Sequence, residues 1–179
     1  MNLPNYITLT RIILIPFFIN LMIYGYYGAA LTVFVVACVT DALDGMIARL
    51  TKSQTELGAF LDPMADKLLI VSAFLTLVLL RMLPIWLVII VVSRDVILVL
   101  GSAVIYFLGQ EFKSRPSLIG KATTVLQLVV VTLALALNNT VGMMERVIPL
   151  LHWTTAVFTI ASGVQYVVRG IKIAGNDVQ

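Results

Sequence analysis

The sequence predicts an all-α membrane protein: a bundle of six spanning helices preceded by a short interfacial helix. Three observations lead there. Hydrophobic residues make up 60% of the 179-residue chain and charged residues only 12%, where a soluble domain carries about a quarter. The mean hydropathy is +1.04. The apolar residues come in long runs separated by short polar breaks, so the pattern is one of spans rather than of amphipathic surface helices.

Taken in order, residues 2–10 are too short and too polar to span. Leu3, Tyr6, Ile7 and Thr10 share a helical face, and an interfacial helix is expected within 1–10. Spans are expected over 11–27, 29–50, 58–80, 84–108, 118–138 and 146–169, against the ~20 residues that a bilayer requires; the first is short and is expected to be extended by the interfacial helix. Gly25 and Gly28 flank the first break; Leu83-Pro84, Arg115-Pro116 and Asn138-Asn139 mark later ones. Trp86 and Trp153 open two spans near one membrane edge, where aromatic belts lie. Residues 170–179 are expected as a loose polar tail. With no internal repeat or low-complexity segment, 1–179 reads as a single membrane domain. The N-terminus has no basic region ahead of an apolar one and no small-residue cleavage site, so it reads as mature sequence.

The twelve Lys and Arg residues set the orientation. With six spans, Arg11, Arg49, Lys52, Lys67, Lys113, Arg115, Lys121, Arg169 and Lys172 collect on one side, and Arg81 and Arg146 on the other. The first side, with both termini, is therefore expected to be cytoplasmic. Arg94 is the exception and lies beside Asp95 inside the fourth span. Facing lipid, each would cost about 3 kcal/mol, so both are expected to face the interior, either as a structural ion pair or with Arg94 reaching a phosphate. The net charge of +3 suits anionic lipid headgroups. No basic run with interleaved aromatics points to nucleic acid. A single cysteine, Cys38, excludes an intrachain disulfide, and a single histidine, His152, excludes a histidine-rich metal site.

The chemistry gathers in 41–66, DALDGMIARLTKSQTELGAFLDPMAD. Four of the chain's nine acidic residues lie here: Asp41 and Asp44, three apart, and Asp62 and Asp66, four apart. On helices, both spacings place a pair on one face, and the polar turn 51–57 would bring the two pairs together. Four facing carboxylates repel one another and raise each other's pKa. Divalent cations relieve this, and an all-oxygen set suits Mg²⁺, Mn²⁺ or Ca²⁺. Two such ions balance four charges and can hold a phosphate during displacement at phosphorus. Arg49 is near enough in sequence to meet that phosphate. The small residues Gly45, Ala48 and Gly58 permit close approach, and Thr55 is a candidate N-cap.

These residues follow the pattern Asp-x2-Asp-Gly-x2-Ala-Arg-x8-Gly-x3-Asp-x3-Asp without a gap or substitution. The pattern resembles the signature of the CDP-alcohol phosphotransferases, membrane enzymes of phospholipid synthesis. The resemblance implies a six-helix bundle, usually a homodimer, that transfers a phosphatidyl group from CDP-diacylglycerol to an alcohol and releases CMP. It implies two divalent cations, Mg²⁺ or Mn²⁺, on Asp41, Asp44, Asp62 and Asp66, with Asp66 also the general base. It implies a CDP-lipid site formed by Asn5, Thr8, Asp41, Gly45, Ala48, Arg49, Thr55 and Gly58. It also implies an integral protein of a bacterial-type inner membrane, with the site facing the cytoplasm.

For the acceptor, Arg94, Arg115 and Lys121 are the candidates. The opening NLPNYITLTRI resembles the phosphatidylglycerophosphate synthases of this family and their relatives the cardiolipin synthases. PSLIGKATTVLQ resembles the Gly-Lys-x-x-Thr-x-x-Gln element of the phosphatidylglycerophosphate synthases. Glycerol 3-phosphate is the acceptor these phrases imply. One departure points elsewhere: many such synthases carry Ala-Arg-Glu in the fourth span with a second arginine soon after. Here Ser93-Arg94-Asp95 stands, and the next cation is Lys113. That resembles the cardiolipin synthases, whose acceptor is phosphatidylglycerol. From another class, four intramembrane carboxylates also suit a divalent-cation transporter, but no acidic relay continues across the membrane.

Overall fold

The computed structural model describes the backbone of residues 3–51, 56–107, 117–137 and 147–175, and side chains within 10–40, 67–101, 117–137 and 148–171. Among the described residues the chain is helical and has no strand. Its six helices are α1 (Leu3–Ile23), α2 (Tyr27–Thr51), α3 (Glu56–Leu79), α4 (Ile85–Phe107), α5 (Leu118–Ala136) and α6 (Val147–Gly175).

The interfacial segment expected over 1–10 extends the first span, as the sequence reading has it: α1 runs unbroken from Leu3, and it ends at Ile23, short of the expected 27. No glycine or proline falls between Leu3 and Ile15 except Pro4, in the first turn, where proline is tolerated. Pro16 lies inside α1 and removes one main-chain bond without ending the helix. At the other end, α6 continues through 170–175 of the expected loose tail, because Ile171, Lys172, Ile173 and Ala174 contain no breaker.

The chain forms two compact units, Met1–Leu83 with Val131–Val141, and Pro84–Val130 with Gly142–Gln179. In the first, α1 packs against both α2 and α3. Phe18 and Met22 of α1, Ala30, Phe34 and Ala37 of α2, and Ala73, Phe74 and Leu77 of α3 are buried. Their spacings of three and four make one face per helix. The Phe18 and Phe34 rings lie 5.8 Å apart, tilted by 39°. The small residues Ala30, Ala37 and Ala73 allow close helix approach, the usual means of association where lipid is as apolar as the side chains.

Two helices of this unit end in the same way. After α1, Gly25 N–H donates to Met22 O (3.1 Å) and Tyr26 N–H to Leu21 O (2.9 Å), the paired bonds of a Schellman motif. Gly25 takes φ +79°, which a glycine adopts without strain. After α3, Arg81 N–H donates to Val78 O (3.0 Å) and Met82 N–H to Leu77 O (2.8 Å). Here the left-handed residue is Arg81, at φ +58°.

In the second unit α4 packs against α6, and the Trp86 and Trp153 rings meet at 4.9 Å. The polarity is inverted relative to a soluble protein. Arg94, Asp95, Thr123, Gln127, Thr159 and Ser162 are buried, while Ile85, Ile89, Leu100, Leu150, Ile160 and Val164 are exposed. Such a distribution suits an apolar solvent. Among the described residues, α5 is long and apolar enough to cross a membrane, whereas the apolar stretches Ile13–Ile23, Tyr27–Thr40 and Lys67–Leu79 are shorter.

The left-handed conformation costs a non-glycine residue about 1–2 kcal/mol. Arg81→Gly should therefore leave the melting temperature unchanged or raise it by about 2–4 °C, whereas Gly25→Val should lower it. Thermal unfolding of both purified variants checks the pair.

Candidate functional site

In the first unit, helical backbone carries both carboxylate pairs. Asp41, Asp44, Gly45, Ala48 and Arg49 lie in the C-terminal part of α2, and Gly58, Asp62 and Asp66 in the N-terminal part of α3. The spacings of three and four therefore fall on helices, as the sequence reading requires. Asn5 and Thr8 lie in α1, which packs against both of these helices. Five Cα steps separate Thr51 from Glu56, so the two helix ends lie within about 19 Å of each other. The side chains of all these residues, and Thr55 altogether, lie outside the described residues. The donor set, four carboxylates with no sulfur or imidazole among them, fits hard divalent cations.

The second unit holds the acceptor candidates. Arg94, in the middle of α4, has a relative exposure of 7%. Its Nη1 donates to Asp95 Oδ1 at 2.7 Å, and its Nη2 donates to Ser162 Oγ of α6 at 2.8 Å. Its Nε is buried without a hydrogen-bond partner among the described residues. Of the two readings the sequence leaves open for Arg94, the ion pair with Asp95 is therefore present, and α6 adds a second anchor. Two glycines lie against this side chain. A Cβ on Gly163 would stand 3.5 Å from Arg94 Cγ, and one on Gly120 would stand 3.7 Å from Arg94 Nη2 and 3.6 Å from Ser162 Oγ.

Gly120 belongs to the first turn of α5. Ser117 caps that helix: Gly120 N–H donates to Ser117 Oγ at 3.0 Å, and Lys121 N–H to Ser117 O at 3.0 Å. A Cβ on Gly120 would come within 3.1 Å of the Ser117 hydroxyl, so the cap and the guanidinium share a tight corner. Lys121 follows directly and is exposed. The fold thus brings Arg94 and the Gly120-Lys121 turn together at a helix N-terminus, an arrangement favourable to anions. Arg115 lies outside the described residues.

Sequence reasoning missed the α6 side of this corner. Thr155, Thr159 and Ser162 are buried and recur at intervals of four and three along an otherwise apolar helix. That periodicity was the available signal. It also missed Tyr166, whose hydroxyl donates to Leu98 O at 3.1 Å. The Tyr166 ring lies over Gly101, where a Cβ would be 2.9 Å from Cε1.

Removing one member of a buried pair leaves the other charge uncompensated, at a cost of about 3–5 kcal/mol, whereas replacing both is far milder. Asp95→Ala should therefore lower the thermal stability much more than Arg94→Met combined with Asp95→Leu. Melting curves of the two variants in one detergent compare them directly.

Comparison with known proteins places the chain. The family model described as CDP-alcohol phosphatidyltransferase matches residues 1–161. A probable phosphatidylglycerophosphate synthase of Mycobacterium tuberculosis is 35% identical over 98% of this chain and 84% of its own length. The CDP-diacylglycerol--glycerol-3-phosphate 3-phosphatidyltransferase of Bacillus subtilis is 33% identical, covering 92% of this chain and 93% of its own. The human cardiolipin synthase (CMP-forming) is 34% identical over 96% of this chain and 62% of its own length. The chain belongs to the CDP-alcohol phosphatidyltransferase family.

Proposed function

We propose that this protein transfers the phosphatidyl group of CDP-diacylglycerol to the hydroxyl of glycerol 3-phosphate, forming phosphatidylglycerol phosphate and releasing CMP. The observation that carries this reading is the unbroken carboxylate signature on α2 and α3 in a chain whose relatives of nearly equal length bear that activity in their names. The transporter alternative has no such support.

Asp41, Asp44, Asp62 and Asp66 would hold two divalent cations, Mg²⁺ or Mn²⁺. Bound there, they would supply charge neutralisation at the diphosphate and at the oxygen that departs. Arg49 binds the diphosphate, with Thr55 adding a hydrogen bond. Gly45, Ala48 and Gly58 leave room for the nucleotide, and Asn5 and Thr8 border its base. Asp66 takes the proton of the acceptor hydroxyl. The acceptor oxygen forms a bond to the lipid-side phosphorus, the phosphoanhydride bond breaks, and its electrons leave with CMP. Arg94, Arg115 and Lys121 serve the acceptor's phosphate.

All six helices are taken to span a bacterial-type inner membrane as a single domain, with the site and both termini cytoplasmic and two copies forming a homodimer. The membrane arrangement is supported by the positions of the helices, the inverted polarity of the second unit and the nine-to-two charge bias of the sequence; the homodimer rests on the family resemblance alone.

One observation favours phosphatidylglycerol as acceptor instead, which would make the enzyme a cardiolipin synthase. Arg94 is neutralised by Asp95 at 2.7 Å, so this corner offers reduced net positive charge, which matches the monoanionic phosphodiester of phosphatidylglycerol better than a dianionic phosphomonoester.

CMP release from CDP-diacylglycerol by the purified protein with Mg²⁺ tests both readings. Release that depends on glycerol 3-phosphate is expected, and release with phosphatidylglycerol alone would select the second reading. Asp66→Asn should reduce release by at least about 100-fold, as loss of a general base does, while leaving the melting temperature within about 2 °C of the parent. Undiminished turnover in that variant would remove the assignment of the base.

A further inference from the structure

Two contacts set the register of α5 against α6. Gly120 stands beside Ser162, and the Thr123 hydroxyl donates to Phe158 O at 3.0 Å. As numbering rises along α5 it falls along α6, so the two helices run antiparallel. One turn beyond Thr123 is Gln127, and one turn back from Thr159 is Thr155. These two residues therefore sit at the same level of the seam.

Both are fully enclosed, with relative exposures of 1% and 0%. Gln127 Nε2 and Thr155 Oγ1 are buried without a hydrogen-bond partner among the described residues. Thr155 also departs from the habit of its neighbours. Thr32, Thr40, Thr76, Thr124 and Thr159 each donate their hydroxyl to the carbonyl four residues earlier. Thr155 does not, and the carbonyl it would use, Leu151 O, accepts from Thr154 instead. Its hydroxyl is thus left unmatched by its own helix as well as by its neighbours among the described residues.

The third helix of the unit offers no remedy. Arg94 meets Ser162 and Leu98 meets Tyr166, so α4 runs parallel to α6 with a constant offset. That offset puts Leu87 and Val91 beside Thr155 and Thr159, and both are buried hydrocarbon. An unmet polar group in such surroundings costs about 1–3 kcal/mol, and here two occur at one level.

We propose that Gln127 and Thr155 hold one buried water molecule between α5 and α6. The water oxygen accepts a hydrogen bond from Gln127 Nε2, and one of its protons is donated to Thr155 Oγ1. Ordering such a water costs about 0–2 kcal/mol, less than leaving both groups unmet. The bridge extends the series of cross-helix polar contacts, Arg94 with Ser162 and Thr123 with Phe158, by one further turn and fixes the rotation of α5 that presents Gly120 and Lys121.

The test combines an experimental structure of the full-length protein in a lipid environment, at a resolution that reveals waters, with melting temperatures of variants. Density within about 3 Å of both atoms is expected. Gln127→Leu and Thr155→Val should each lower the melting temperature by about 2–4 °C, the double variant should be no worse than either single one, and Thr155→Ser should match the parent. The proposal fails if the amide bonds directly to Thr155 or to a main-chain carbonyl with no intervening density. It also fails if the two substitutions act additively.

Discussion

A guanidinium in the middle of an apolar helix has few places to go, and the second unit is arranged around that constraint. Arg94 is too far from either end of α4 to be left in lipid without a cost of about 3 kcal/mol. It is instead enclosed, paired with the carboxylate next to it and anchored to Ser162. Its surroundings answer that need. Gly163 and Gly120 lie in van der Waals reach of the side chain, and Ser162 supplies an oxygen that its guanidinium can meet. The corner formed by Arg94, the Ser117 cap and Gly120 follows from satisfying one buried cation.

The same rule governs the polar residues around it. In water, threonines and glutamines would lie outward and the isoleucines and leucines inward. Here α6 turns Thr155, Thr159 and Ser162 to the inside and Leu150, Ile160 and Val164 to the outside. Hydrocarbon outside gives apolar side chains no reason to hide and gives polar ones no partner, so helix association rests on close packing and on hydrogen bonds across the seam. The threonine hydroxyls that bond to their own helix satisfy themselves locally. Those that reach across, as Thr123 does to Phe158, also set the register between helices.

The residues proposed for donor and acceptor fall in different units. The acidic pairs are carried by α2 and α3, held by their common neighbour α1, whereas the cationic corner belongs to α4, α5 and α6. A family that uses one CDP-lipid donor with different alcohols would be expected to vary the second more than the first. The departure of Ser93-Arg94-Asp95 from the pattern of many phosphatidylglycerophosphate synthases falls in the cationic corner, while the donor signature is unbroken. Identity of about one third to proteins named for either acceptor fits that division.

The six helices and their approximate limits were legible in the sequence because apolar runs and their Gly, Pro and Asn breaks are local signals. The family was legible because its signature is a set of fixed spacings within 41–66. The extension of α6 to Gly175 was less so: a polar stretch reads as a break, yet helix persists where no residue forbids it. Arg81 ends α3 in a conformation that its side chain does not advertise. Above all, the sequence posed Arg94-Asp95 as a question, and tertiary structure answered part of it. Which oxygen a buried guanidinium finds depends on a helix 68 residues farther along the chain, and a contact of that range leaves no trace in local pattern. Local spacing determined where helices form and which residues can carry the chemistry; only packing decided which polar groups meet, because burial without water forces each to find a partner wherever the fold provides one.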